Sequence, residues 1–228
     1  LEGVPGTAKT LTIRTLARLL DCSNKRIQFT PDLMPSDIVG TSTFNLQKQT
    51  FELRKGPVFC DLLLGDEINR APAKTQSALL EAMSERSVTI DGEKHDLSPI
   101  FTVFATQNPI EFEGTYPLPE AQQDRFLLKV RIDYPARDAE RELLVAAHEG
   151  RPAEALEAHD LSPVLTIDQL QAIQAALPQV EIEAGVMDYL LSVTRATREH
   201  DALMMGASPR AALALLAASK ARALLHNR

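Results

Sequence analysis

Apolar positions along this chain follow two rhythms, and the change from one to the other divides it. Up to Tyr134-Pro135, apolar runs typical of buried strands alternate with helically spaced stretches. After that point only helical spacing remains. Ile13, Leu16, Leu19 and Leu20 recur along residues 9–20 as on one helix face. Residues 26–30 form a short strand pattern that Pro31 and Pro35 interrupt, and 36–40 fit a helical turn. Residues 41–45 and 50–53 alternate in character and predict a small hairpin inserted into the second helix.

The run 58–64 is apolar apart from Asp61. Its Leu62-Leu63-Leu64 end reads as a strand buried on both faces of a parallel sheet. Asn69-Arg70-Ala71-Pro72 starts the next helix, which continues over 75–86 with Leu79, Leu80 and Met83 as its core stripe. Segments 87–92 and 93–97 predict a second hairpin turning on Asp91-Gly92. Further strands are expected at 100–108 and 127–132.

Beyond Pro135, residues 138–149 read as a helix stopped by Gly150. Thr166-Ile167-Asp168-Gln169 is a capping box opening a helix through Leu177. A helix over 185–199 follows, then one begun by Ser208 as cap and Pro209 at the first helical position. The expected fold class is therefore α/β, with a parallel-sheet core over 1–134 and a small all-α domain over 135–228.

Composition narrows the function. With 44% hydrophobic and 24% charged residues, a real core is available. No apolar stretch reaches membrane-spanning length, and no signal-peptide pattern is present, so no direct membrane insertion is expected. Cys22 and Cys60 suggest neither a disulfide framework nor a zinc site, and a reducing cytoplasmic setting is the default. His95 is a single exposed-looking histidine, to which we give no metal role. A net charge of -7, no basic block and no tryptophan argue against nucleic acid as a partner.

Two stretches carry chemistry. Gly3-Val4-Pro5-Gly6-Thr7-Ala8-Lys9-Thr10 reads as a phosphate-binding loop opening a helix. Gly3 and Gly6 let the backbone curl around a phosphate, and the helix N-terminus presents partial positive charge to it. Lys9 would reach the β- and γ-phosphates, and Thr10 would take one Mg²⁺ position. Ala8 stands where glycine usually precedes the lysine, a departure tolerable if that residue is already helical. Such a loop should follow a buried strand, for which the chain leaves no room, so residues before Leu1 are expected in the native protein; the last helix reaches Arg228 with no terminating signal, so residues beyond it are expected too. The second stretch is Asp66-Glu67, two acids at the carboxyl end of a buried strand, where ligands sit in open α/β sheets. Asp66 suits Mg²⁺ held through water, and Glu67 suits polarising the attacking water. Asn108, ending the next strand, could hold that water or the γ-phosphate, although Asn108-Pro109 is also an ordinary turn pair.

Phosphate loop, Asp66-Glu67, Asn108, Arg125 and Arg210 form one ordered set. It resembles the AAA+ ATPases: Walker A, Walker B, sensor 1, arginine finger and sensor 2. Four stretches resemble the MoxR family in particular: Gly3-Val4-Pro5-Gly6 with Ala8-Lys9-Thr10; Asp66-Glu67-Ile68-Asn69-Arg70-Ala71-Pro72 with Lys74-Thr75-Gln76; Ala105-Thr106-Gln107-Asn108-Pro109; and Glu113-Gly114-Thr115-Tyr116-Pro117-Leu118-Pro119-Glu120-Ala121-Gln122. The likeness is strong over 1–135 and weaker beyond. The hairpins at 41–53 and 88–97 resemble the helix-2 and pre-sensor inserts of that clade.

The resemblance implies a three-layer αβα core with a helical lid, ATP with Mg²⁺, and a homo-hexameric ring. It further implies chaperone-like maturation of a client, often with a partner carrying a von Willebrand factor A domain. Arg125 would then reach into the neighbouring subunit's site. Arg210 has a physical argument of its own: a cation in the first turn of a helix opposes the dipole, and a nearby anion, either the γ-phosphate or an acid such as Asp201, would remove the conflict. Two alternatives remain at this point, a magnesium-chelatase-like metal-insertion motor and a nucleotide-gated binding module with little hydrolysis.

Overall fold

The computed structural model describes residues 1–3, 6–107, 116–150 and 161–226. They fall into two compact units, one formed by 1–118 with 129–167, the other by 119–128 with 168–228.

The first unit is built on parallel strands. β2 (Asn24–Gln28) pairs with β5 (Leu62–Asp66), which pairs with β8 (Thr102–Ala105), all parallel. β1 (Glu2–Gly3) pairs in parallel with β9 (Arg131–Ile132). A parallel bridge between Glu2 and Gln107, with Gln107 N–H donating to the Leu1 carbonyl at 3.1 Å, joins the two groups. The strand order is thus β2-β5-β8-β1-β9, with β1 between its neighbours and the phosphate loop at its carboxyl end, where the order reverses. A strand stub therefore does precede the loop. Leu62, Leu63 and Leu64 are all buried, as expected of a strand covered on both faces.

Helices α1 (Lys9–Leu19) and α3 (Ala73–Glu85) bury Ile13 and Ala17, and Leu79, Leu80 and Ala82, respectively. The short α2 (Pro35–Val39) leads into the antiparallel hairpin β3 (Gly40–Asn45) and β4 (Thr50–Lys55), where the insert was expected. Hairpin β6 (Ser87–Ile90) and β7 (Glu93–Asp96) turns on Asp91-Gly92, both at positive φ as a primed turn requires. His95 is half-buried rather than exposed, with its ring edge-on to Phe59. Helix α5 (Arg137–His148) ends before Gly150, whose φ is +74°.

β5 begins at Leu62, as the three leucines predict, because residues 56–60 close on themselves in tight turns, with Cys60 N–H on the Val58 carbonyl at 2.9 Å. Two other strand expectations were too long. β8 begins at Thr102, after a turn in which Phe101 N–H donates to Ser98. The strand expected over 127–132 shrinks to Arg131–Ile132, as long as its partner β1, and leaves Leu127 and Leu128 exposed.

The second unit is helical. It contains α4 (Glu120–Gln123), most of α6 (Ile167–Ala176), α7 (Ala184–Arg198) and α8 (Pro209–Leu225). Ser208 caps α8 by accepting from Ala211 N–H at 3.1 Å, with Pro209 at the first helical position.

Asp61, the polar exception in its apolar run, clamps the amino ends of three strands. Its Oδ2 accepts from the Ser23 amide at 2.9 Å and the Ser23 hydroxyl at 2.6 Å, ahead of β2, and its Oδ1 accepts from Ser98, ahead of β8. Burial acts to raise the Asp61 pKa, but the hydrogen bonds from Ser23 and Ser98 outweigh it and the net direction is downward. A carboxylate depressed by folding contributes stability above its unfolded pKa and loses it as pH falls. Thermal unfolding followed from pH 6 to pH 3 should therefore show a steeper loss of Tm in the wild type than in Asp61→Asn. Parallel profiles would contradict the clamp.

Candidate nucleotide site

The carboxyl ends of β1 and β5 open onto one cavity of about 410 Å³. Gly6, Lys9 and Thr10 line it from the loop side, and Asp66 and Glu67 from the other, with Gly3, Thr7 and Ala8 also in its wall. The sequence had placed all of these on one triphosphate. Val4, Pro5 and Asn108 lie outside the described residues.

The loop's backbone departs from the expectation in two ways. Gly6 has φ +80°, as a tight curl requires. Gly3 serves differently: a Cβ there would collide with the Ile132 carbonyl oxygen, so glycine is needed for the close approach of β1 to β9. Ala8 is not helical. It caps α1 in the left-handed region, φ 56° and ψ 22°, and its carbonyl accepts from Thr12 N–H. Glycine would hold that conformation without the Cβ clash.

No side chain caps α1 and no acid stands in its first turn, a helix start whose positive dipole end suits an anion. The Lys9 ammonium, meanwhile, donates to the Gly3 carbonyl at 3.0 Å and to Thr7 Oγ1 at 3.2 Å. Lys9 thus bridges the two ends of the loop it serves.

The acid pair is held from both sides. Asp66 Oδ2 accepts from Arg26 Nη2 at 2.7 Å and Nε at 3.1 Å, and its Oδ1 accepts from Thr106 Oγ1 at 2.5 Å. Glu67 Oε2 accepts from Gln28 Nε2 at 2.6 Å and faces Arg70 Nε at 3.2 Å. Glu67 itself sits at φ 57°, a left-handed conformation rare for a non-glycine residue and frequent at functional sites. Buried Thr106 supports that kink, its hydroxyl accepting from Glu67 N–H at 2.9 Å. Buried Gln76 supports the turn that follows, donating to the carbonyls of Ile68, Ala71 and Tyr116.

Arg26, Gln28 and Thr106 escaped the sequence reading. The signal was faint: Arg26 and Gln28 flank buried Ile27 with the period of two that puts them on one side of β2.

Arg125 and Arg210 lie in the second unit, near one acid. Arg125 follows α4 and does not directly precede a strand; it is exposed. Its chain neighbour Asp124 accepts from Ser208 Oγ at 2.7 and 2.8 Å and faces Arg210 Nη1 at 3.8 Å. The acid beside Arg210 in its own chain is therefore Asp124.

The residues present fit a magnesium-bound nucleotide. The oxygen donors Thr10 and Asp66 suit Mg²⁺, which binds through one or two protein groups plus phosphates. Among the described residues no cluster of three His, Cys, Asp or Glu forms a metal cage of its own.

Comparison with known proteins agrees. Residues 1–128 match the ATPase family associated with various cellular activities (AAA), and residues 195–228 match the AAA lid domain. The whole chain is 44% identical over 237 residues to the chaperone MoxR1 of Mycobacterium tuberculosis. The chain belongs to the MoxR family of AAA ATPases. It is also 46% identical over 228 residues to the protein YeaC of Bacillus subtilis. It spans 70% of the length of YeaC and 61% of that of MoxR1. The crystal structure of a candidate ATPase from Cytophaga hutchinsonii superimposes with a TM-score of 0.87 at 43% identity, covering all of this chain and 70% of that one. The fold is thus the α/β P-loop core of the AAA proteins followed by their helical lid.

Relaxing the left-handed Ala8 gives a direct check of the MoxR-type loop. Ala8→Gly should raise stability to urea by about 0.5–1 kcal/mol, since a left-handed alanine costs roughly 1 kcal/mol or more and glycine's greater unfolded entropy offsets part of the gain. Destabilisation would contradict the assigned conformation.

Proposed function

We propose that this chain is the motor part of a MoxR-type machine that hydrolyses ATP with Mg²⁺ to remodel or mature a client protein. One observation carries the reading. A phosphate loop with an uncapped helix N-terminus shares one cavity with two adjacent carboxylates at the end of a buried strand.

Lys9 and the α1 amides would neutralise the phosphates, and Thr10 with Asp66 would hold the metal. Bound Mg²⁺ would supply further neutralisation of developing phosphate charge. Glu67 would orient or deprotonate water, assisted by Asn108. In a ring, Arg125 would reach the site of an adjacent subunit, and Arg210 would link the lid to the nucleotide. A homo-hexamer working with a von Willebrand factor A domain protein in the cytoplasm completes the reading. No described helix is long and apolar enough to cross a membrane.

Steady-state phosphate release and nucleotide binding separate the parts. Glu67→Gln should retain ATP binding and lose turnover by about 10²–10⁴-fold. Arg125→Ala should also bind ATP while turnover falls by about 10³–10⁵-fold, the scale of arginine fingers. Near-normal hydrolysis by either variant would refute its role. Binding without turnover in the wild type would favour a nucleotide-gated module instead.

A further inference from the structure

Strand β2 ends level with β5 and carries two polar side chains at that end. In the parallel register Arg26 lies opposite Leu64 and Gln28 opposite Asp66, so both point along the acid pair's edge of the cavity. Arg26 places Nη2 and Nε on the same oxygen, Asp66 Oδ2, at 2.7 and 3.1 Å. Nη2 also donates to Gln28 Oε1 at 2.8 Å. That bond orients the Gln28 amide so that its Nε2 faces Glu67 Oε2 at 2.6 Å. The four side chains form one line: Asp66, Arg26, Gln28, Glu67. With Thr106 on Oδ1, both Asp66 oxygens are engaged, and the metal-facing acid already carries a cation.

The geometry points to Arg26 as a positioning residue that holds the metal acid Asp66 in the nucleotide-free pocket and must yield it when a magnesium-bound nucleotide enters. This inference rests on the ATPase reading above. Asp66 Oδ2 cannot serve a guanidinium and a magnesium hydration shell equally well, because each needs the same lone pairs. Arg26 can yield, since its side chain is 53% exposed while that of Asp66 is 15% exposed. When Arg26 lets go, Gln28 loses its anchor, and its hold on Glu67 loosens. Arrival of the metal at one carboxylate is thereby relayed to the other, which has to meet the attacking water.

The test is Mg²⁺-dependent binding of a fluorescent, non-hydrolysable ATP analogue to the full chain, for wild type, Arg26→Gln and Arg26→Lys. Removing a part-exposed competing ion pair should lower the half-saturating Mg²⁺ concentration of Arg26→Gln by about two- to fivefold, with analogue affinity at saturating Mg²⁺ unchanged. Arg26→Lys keeps the charge and should stay near the wild type. An unchanged or raised Mg²⁺ requirement in Arg26→Gln overturns the proposal. So does a tenfold weaker affinity at saturating Mg²⁺, which would make Arg26 a phosphate contact. A wild type that binds no analogue at any Mg²⁺ concentration sinks the ATPase reading and this inference with it. A magnesium-dependent wild type with an unshifted Arg26→Gln sinks only the inference.

Discussion

Two part-buried carboxylates stand on consecutive residues of one cavity wall, and each must find hydrogen-bond partners there in place of lost water. The α/β unit answers that need with partners from both neighbouring strands. Arg26 and Gln28 come from β2 on one side, and Thr106 comes from the end of β8 on the other. These bonds require β2, β5 and β8 to end level with one another. Asp61 secures that alignment from the opposite end of the same strands, through Ser23 and Ser98. The sheet is thus pinned at its base by one hydrogen-bonded acid and presents two more at its tip.

The backbone carries matching strain at the two places that would meet a nucleotide. Ala8, at the start of α1, and Glu67, just past β5, both adopt left-handed conformations that cost a non-glycine residue roughly 1–2 kcal/mol. Each is held by local bonds: the Ala8 carbonyl takes Thr12 N–H, and Glu67 N–H finds the Thr106 hydroxyl. Strain of this kind persists where surrounding structure over-determines it, and it clusters at functional sites. In the MoxR-type arrangement it aims loop amides and a carboxylate into one cavity.

Much of this was legible in the residues. The loop, the acid pair after three leucines, both hairpins and the Ser208-Pro209 helix start carry strong local signals, because turn residues and caps act over a few positions. Strand lengths were not legible. The strand expected from Ile100 starts only at Thr102, after a turn, and among the described residues 127–130 pair with nothing beyond the short β1. Helix α4 is too short to show a period. Ala8 was misjudged because the identity of a residue does not reveal the sign of its φ. Arg26, Gln28 and Thr106 were missed because their meaning lies in pairing register, which juxtaposes residues 40 apart in sequence.

The central claim is that the Lys9 loop and the Asp66-Glu67 pair serve one triphosphate. Calorimetric titration of a non-hydrolysable magnesium–ATP analogue into wild type and Lys9→Ala tests it most directly. Loss of a phosphate-contacting cation should weaken binding by about tenfold or more, the scale of a charge-assisted hydrogen bond. Equal affinities in the two proteins would show that the nucleotide, if bound, does not occupy this cavity.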